Sequence, residues 1–123
     1  MKFRSPHLLN RQSSALLVVD IQEKLIPAIE SSDTVIARSQ LLIDAAVILD
    51  VPVLVSEQYP KGLGNTVSDL DVSKAALVEE KSMFSCRECE RIMGFLEQKA
   101  TQTVLLCYAA SKLTSVLPKP HST

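Results

Sequence analysis

Between Ser14 and Cys107 short apolar runs alternate with longer stretches of helical periodicity. Leu16 to Val19 is unbroken, the pattern of a strand buried on both faces, and Asp20 interrupts it where the strand should end. Pro52 to Val55 repeats the pattern and runs out into Ser56, Glu57 and Gln58. Ala76 to Glu80 is a third candidate strand, delivering Lys81 at its end, and Thr103 to Cys107 is a fourth. Ser32 or Asp33 is placed to cap a helix reaching about Asp50, with Val35, Leu42, Ala45, Ala46 and Leu49 as its apolar stripe. A second helix is predicted from about Arg87 to Ala100, with Ile92, Phe95 and Leu96 on one face. Glu23 to Ser32 reads as a short turn broken by Pro27, and Tyr59 to Gly64 as a turn-rich loop. Strands alternating with helices predict an α/β domain on a parallel sheet with right-handed crossovers.

The 123 residues suffice for one domain with a modest core. A hydrophobic share of 46% and a charged share of 22% are those of an ordinary soluble protein. The formal net charge of −1, with no basic block, argues against nucleic acid as a partner. No run nears the roughly 18 apolar residues of a membrane span. Residues 1–13 read as a polar leader without the apolar core of a signal peptide. Three cysteines, an odd number, make no disulfide framework, so the cytoplasm is the expected compartment.

The candidate chemistry therefore gathers at the strand ends: Asp20, Glu57 and Gln58, Lys81, and whatever follows Cys107. In an open parallel sheet ligands sit beyond the carboxyl ends of the strands. A carboxylate and an ammonium meeting there could activate a thiol, the cation lowering its pKa and the carboxylate taking its proton. On spacing alone, Asp20 reads better as a turn cap, and Lys81 as a solvated charge or a partner for Glu79 or Glu80.

Three segments alter that balance. Leu17-Val18-Val19-Asp20-Ile21-Gln22, then Val51-Pro52-Val53 leading to Ser56-Glu57-Gln58-Tyr59-Pro60-Lys61-Gly62-Leu63-Gly64, then Glu80-Lys81-Ser82-Met83-Phe84-Ser85, resemble the isochorismatase-like hydrolases. The resemblance covers roughly Ser14 to Cys107 and is strongest for the cysteine-hydrolase branch that carries the Glu-Gln-Tyr-Pro-x-Gly-Leu-Gly loop. It implies a Rossmann-like three-layer α/β/α fold on a six-stranded parallel sheet, of which this chain supplies about four strands. It also implies cleavage of an amide-like C–N bond in a small molecule by an Asp-Lys-Cys triad. Asp20 matches the general base and Lys81 the charge-stabilising residue, while Gln58 and Tyr59 fall where a loop lines the substrate pocket. Family members that use zinc carry histidines in this region; none lies between His7 and His121, so neither metal nor cofactor is expected. True isochorismatases cleave a vinyl ether without the cysteine, using the Asp as acid.

After the fourth strand the pattern departs. The family reads Cys-Gly-Ile-Glu-x-His-x-Cys-Val-x-Gln-Thr-Ala, its nucleophile opening a helix. Here residues 108–123 contain no cysteine, Thr114 or Ser115 stands near the nucleophile's place, and Pro118 and Pro120 interrupt any helix. Joining the third base of each codon to the first two of the next, from Tyr108 onward, permits Cys-Gly-Ile-Glu-Ala-His-Val-Cys-Val and then Gln-Thr-Ala. The expectation is a frameshift that removed the nucleophile and the remaining strands, leaving an inactive fragment with residues 14–107 as a partial domain and 108–123 as an unrelated tail.

Two other classes fit particular features. Cys86-Arg87-Glu88-Cys89 is a Cys-x-x-Cys between strand and helix, as in thiol–disulfide exchange, although Glu88 and Glu90 would raise a thiol's pKa. A sheet open at its last strand would also serve as a non-catalytic interaction module or pair into a homo-oligomer.

Overall fold

The computed structural model describes residues 10–81 and 89–108. Strands β1 (Ser14–Val19), β2 (Val53–Gln58), β3 (Leu77–Lys81) and β4 (Thr103–Tyr108) form one parallel sheet in the order β3-β2-β1-β4. Helix α1 (Ser32–Ile48) links β1 to β2, the single turn α2 (Pro60–Leu63) follows β2, and α3 (Glu90–Gln98) links β3 to β4. The connection from β1 to β2 and that from β3 to β4 run in opposite directions across the sheet. Right-handed crossovers must then put α1 and α3 on opposite faces. They do: Ile43 and Ala46 of α1 pack with Leu16, Val18, Val53, Val55 and Cys107, whereas Ile92 of α3 packs with Leu17, Leu54 and Cys89. The predicted three-layer α/β/α arrangement holds.

The apolar runs behave as their positions in the sheet require. Central β1 and β2 are buried almost throughout, while β3 and β4, at the edges, alternate between covered and exposed residues. Pro27 does not break the turn before α1 but sits inside a 3-10 turn, Ile26–Ala28, where an early proline is tolerated. Helix α3 gains a cap from outside its own segment: both Glu79 carboxylate oxygens accept from the Arg91 and Ile92 amides, at 3.1 and 2.8 Å.

Two helix expectations are corrected. Neither Ser32 nor Asp33 caps α1; the N-cap is Ser31, in left-handed backbone with no side-chain cap bond. The buried stripe of α1 is Ser39, Ile43 and Ala46, with Val35 and Ile36 half-buried beside it, not Leu42, Ala45 and Leu49. A crossover helix lies over the two strands it joins, so the α1 flank carrying Leu42, Ala45 and Leu49 leans past β1 toward β4. These three line an open groove of about 300 Å³ beside Leu105. No helix among the described residues is long and apolar enough to cross a membrane.

Candidate functional site

Because the β1-to-β2 and β3-to-β4 crossovers run in opposite directions, β1 and β4 flank the point where the strand order reverses. The crevice beyond the carboxyl ends at such a point is where α/β sheets bind ligands. Asp20 follows β1 directly, its amide still in the ladder and donating to the Ser56 carbonyl at 3.2 Å. Its φ of 56° puts the backbone in the left-handed region, which Asp tolerates better than most residues and which turns the carboxylate out of the strand.

Lys81, last residue of β3, reaches back across the end of β2 and donates from Nζ to Asp20 Oδ1 at 2.7 Å. The pair is nearly dry, with side chains 1% exposed for Lys81 and 12% for Asp20. The two residues expected to meet at one rim therefore do, although 61 positions separate them. Ser56 Oγ approaches the same Oδ1 at a long 3.5 Å. Strand alternation explains this: Leu54, Ser56 and Gln58 share the α3 face of β2, and Leu77, Glu79 and Lys81 pair with them in register. Ser56 went unassigned in the sequence because a serine at a strand end carries no signal of its own.

Gln58 is buried in this rim and its Oε1 has no hydrogen-bond partner. An orphaned buried acceptor costs free energy on the order of 1–3 kcal/mol, so a donor from a ligand is the natural complement. Tyr59 is only partly brought in. Its amide donates to the Lys81 carbonyl at 2.8 Å, but its ring folds onto Gly62, where an added Cβ would fall 2.3 Å from Cε2, and the residue is 59% exposed. Glu57 is corrected. It points to the opposite face, where it accepts from Asn65 Nδ2 at 3.1 Å and from the Thr66 amide and hydroxyl at 2.8 Å each, so it holds a loop and does not join the rim.

Gln22 holds the other side of that loop. Fully buried, it donates from Nε2 to the carbonyls of Gln58 and Gly64 at 2.9 and 2.7 Å, and accepts from the Gln58 amide at 2.8 Å. The segment leaving Asp20 is thus stapled to the end of β2. Replacing Gln22 by Leu leaves these backbone groups dry and unpaired, and should lower unfolding free energy by about 2–4 kcal/mol in urea titration. Unchanged stability would mean that Glu57 alone suffices.

Cys107 lies across the sheet from Asp20 and Lys81, in the α1-face core, where its thiol donates to Ser39 Oγ at 2.8 Å. Burial pushes this thiol's pKa up, the Ser39 hydrogen bond opposing only in part. Native Cys107 should therefore resist iodoacetamide at pH 8 and react once urea unfolds the chain. Its contribution to stability is full below the unfolded thiol's value of about 8.5 and is lost as pH rises through the higher folded value. Labelling of the native protein as fast as of a free thiol would contradict this placement.

Cys89, the N-cap residue of α3, is buried against Leu17, Leu54 and Ile92, while Cys86, Thr114 and Ser115 lie outside the described residues. Among the described residues no group of three or more His, Cys, Asp or Glu side chains comes together. A depression of about 510 Å³ beside Arg11, Asp50 and Lys99 is at the amino end of the sheet and away from this rim.

The family model for the isochorismatase domain matches residues 14–110. Isochorismatase domain-containing protein 1 of Danio rerio is 46% identical over 98 residues, covering 80% of this chain and 35% of its own. Among solved structures, the MAR1 ribonuclease of Caenorhabditis elegans superposes with a TM-score of 0.61 at 28% identity, over 84% of this chain and 69% of that one. An isochorismatase from Pseudomonas putida superposes at 0.71 with 18% identity, over 81% and 58%, a likeness of fold. The chain spans between about a third and a half of the length of the curated relatives it matches.

Proposed function

The chain belongs to the isochorismatase family, and on that premise we propose that its Asp20–Lys81 rim is the acid–base half of a hydrolase site for amide-like C–N bonds. The observation that carries this reading is the 2.7 Å contact between two nearly dry, opposite charges at the strand-order switch. In the complete site a thiol supplied beyond β4 gives its proton to Asp20, and its sulfur attacks the carbonyl carbon. The C–N bond breaks, the amine leaves with a proton, and water opens the thioester. Lys81 holds the Asp20 carboxylate in place and offsets negative charge that develops beside it. Gln58 Oε1 is the acceptor for a substrate N–H, and Tyr59 flanks the entrance.

The nucleophile is what this chain lacks. Cys107 is committed to the other face, and no cysteine follows it. We attribute this to a shifted reading frame at Tyr108, so the chain as it stands should show no amide turnover. The test is the gene sequence across the codons for Leu106 to Thr123, followed by an amidase assay of the frame-corrected protein. A shifted frame that spells something other than the family's cysteine segment overturns the explanation. The ribonuclease activity named for the Caenorhabditis elegans relative is the less favoured reading, because phosphate binding calls for free cationic side chains. Here the formal net charge is −1 and Lys81 is engaged with Asp20.

A further inference from the structure

At the amino end of the sheet, away from the Asp20 rim, two depressions of about 510 and 420 Å³ share Asp50, Pro52 and Lys99 and so form one trough. It crosses the start of each of the four strands: Thr101 precedes β4, Ser14 opens β1, and Pro52 and Ala76 precede β2 and β3. Neighbouring strands lie roughly 4.8 Å apart, so a trough across four of them is about 14 Å long.

Its charge is unlike that of the chain. Arg11 stands in the depression beside β1 and β4, Lys74 in the one beside β2 and β3, and Lys99 between them, against one carboxylate, Asp50. Three cations to one acid is a local excess in a molecule whose formal net charge is −1. Among the described residues none of the three takes part in an ion pair. Asp71, close to Lys74 in the chain, accepts instead from the Ser73 amide at 2.9 Å. The Lys99 ammonium lies over the Phe95 ring, 5.8 Å from its centre.

The rest of the wall is electronegative. Helices α1 and α3 both end here, their C-caps Leu49 and Lys99 lining the trough, so it is bordered by carboxyl-terminal carbonyls that carry the negative ends of two helix dipoles. The occupant must therefore bring N–H donors for these oxygens and for Asp50, and separate acidic groups for cations that stand apart. A phosphate brings negative charge without donors, and the helix ends repel it. A base stacking on Phe95 meets Lys99 over that ring. An extended peptide with acidic side chains brings both kinds of group, and about four residues at roughly 3.3 Å each span the trough. Val47, Val53 and Phe95 offer a place for an aliphatic side chain.

We infer that this trough is a docking site for an extended acidic peptide in which an aliphatic side chain stands between carboxylates. Main-chain N–H groups donate to Asp50, and the carboxylates pair with Arg11 and Lys74 on either side of Lys99. The trough and the Asp20 rim are at opposite ends of the sheet, so this binding stands or falls apart from the catalytic reading.

Fluorescein-labelled acetyl-Glu-Glu-Leu-Glu-Glu-amide, titrated with the full chain and followed by fluorescence anisotropy, tests the site. Binding should saturate by about 1 mM chain, and the peptide with glutamine in place of glutamate should bind roughly tenfold more weakly or worse. Affinity should fall severalfold between about 50 and 200 mM salt, as exposed charge pairs require. Arg11→Gln and Lys74→Gln should each weaken binding roughly two- to fivefold, while Arg11→Lys keeps most of it. Both positions are exposed, so the circular dichroism spectrum should not change. Failure to saturate overturns the inference, as does equal binding of the glutamine peptide. Binding that survives the combined Arg11→Gln and Lys74→Gln change places the peptide elsewhere and overturns it too. Displacement of the peptide by an equal concentration of sodium pyrophosphate would show a phosphate site and overturn the choice of ligand.

Discussion

Restoring the reading frame from the Tyr108 codon onward is expected to raise amide hydrolysis from background by roughly 10⁴-fold or more, the scale on which nucleophile removal abolishes such enzymes. The geometric basis lies in the β1–β4 pairing, in which Tyr108 opposes Val19. Tyr108, the last residue of β4, therefore sits beside the end of β1 that carries Asp20, on the same rim as the Lys81 ammonium. A cysteine opening a helix there would also have the positive end of that helix favouring its thiolate. Asp20→Asn in the corrected protein should return the rate to background while keeping the left-handed backbone that Asn tolerates, its fold checked by circular dichroism. Activity of the corrected enzyme that survives Asp20→Asn would remove Asp20 from the mechanism. Steady amidase turnover by the present chain, lost on Asp20→Ala, would show that the tail carries a nucleophile of its own.

Asp20→Asn in the present chain should cost about 3–5 kcal/mol, because it leaves the Lys81 ammonium, 1% exposed, without its counter-charge. Lys81→Met should cost less, since the Asp20 carboxylate at 12% exposure retains some access to water. The double variant should recover much of the larger loss, because an Asn beside a Met buries no charge. Against a total stability of roughly 5–15 kcal/mol for a small domain, the single change alone would populate unfolded chains. Urea titrations of the three variants at pH 7 decide it. Additive effects, with no coupling between positions 20 and 81, would mean that the contact contributes nothing and that the two charges are held apart by solvent.

The amino-acid sequence by itself determined the strands, the two long helices and the end of the sheet at which Asp20 and Lys81 stand. Unbroken runs such as Leu16 to Val19 and Val53 to Val55 have one physical use, strands buried on both faces, and Asp20 and Lys81 announce the carboxyl ends by breaking or ending such runs. These are local properties of pattern and propensity. Only the tertiary structure decided which side chains meet. The strand order brings Lys81 across β2 to Asp20, and the alternation of β2 sends Glu57 to hold the Asn65–Thr66 loop while Gln58 stays on the rim. It also made Glu79 the cap of α3 and Gln22 the staple of a loop some forty residues distant, bonds whose partners no local window contains. The α1 stripe failed for the same reason. Helical periodicity identifies an apolar face, but which strands lie beneath it follows from the direction of each crossover, and that left Leu42, Ala45 and Leu49 lining a groove beside Leu105 of β4.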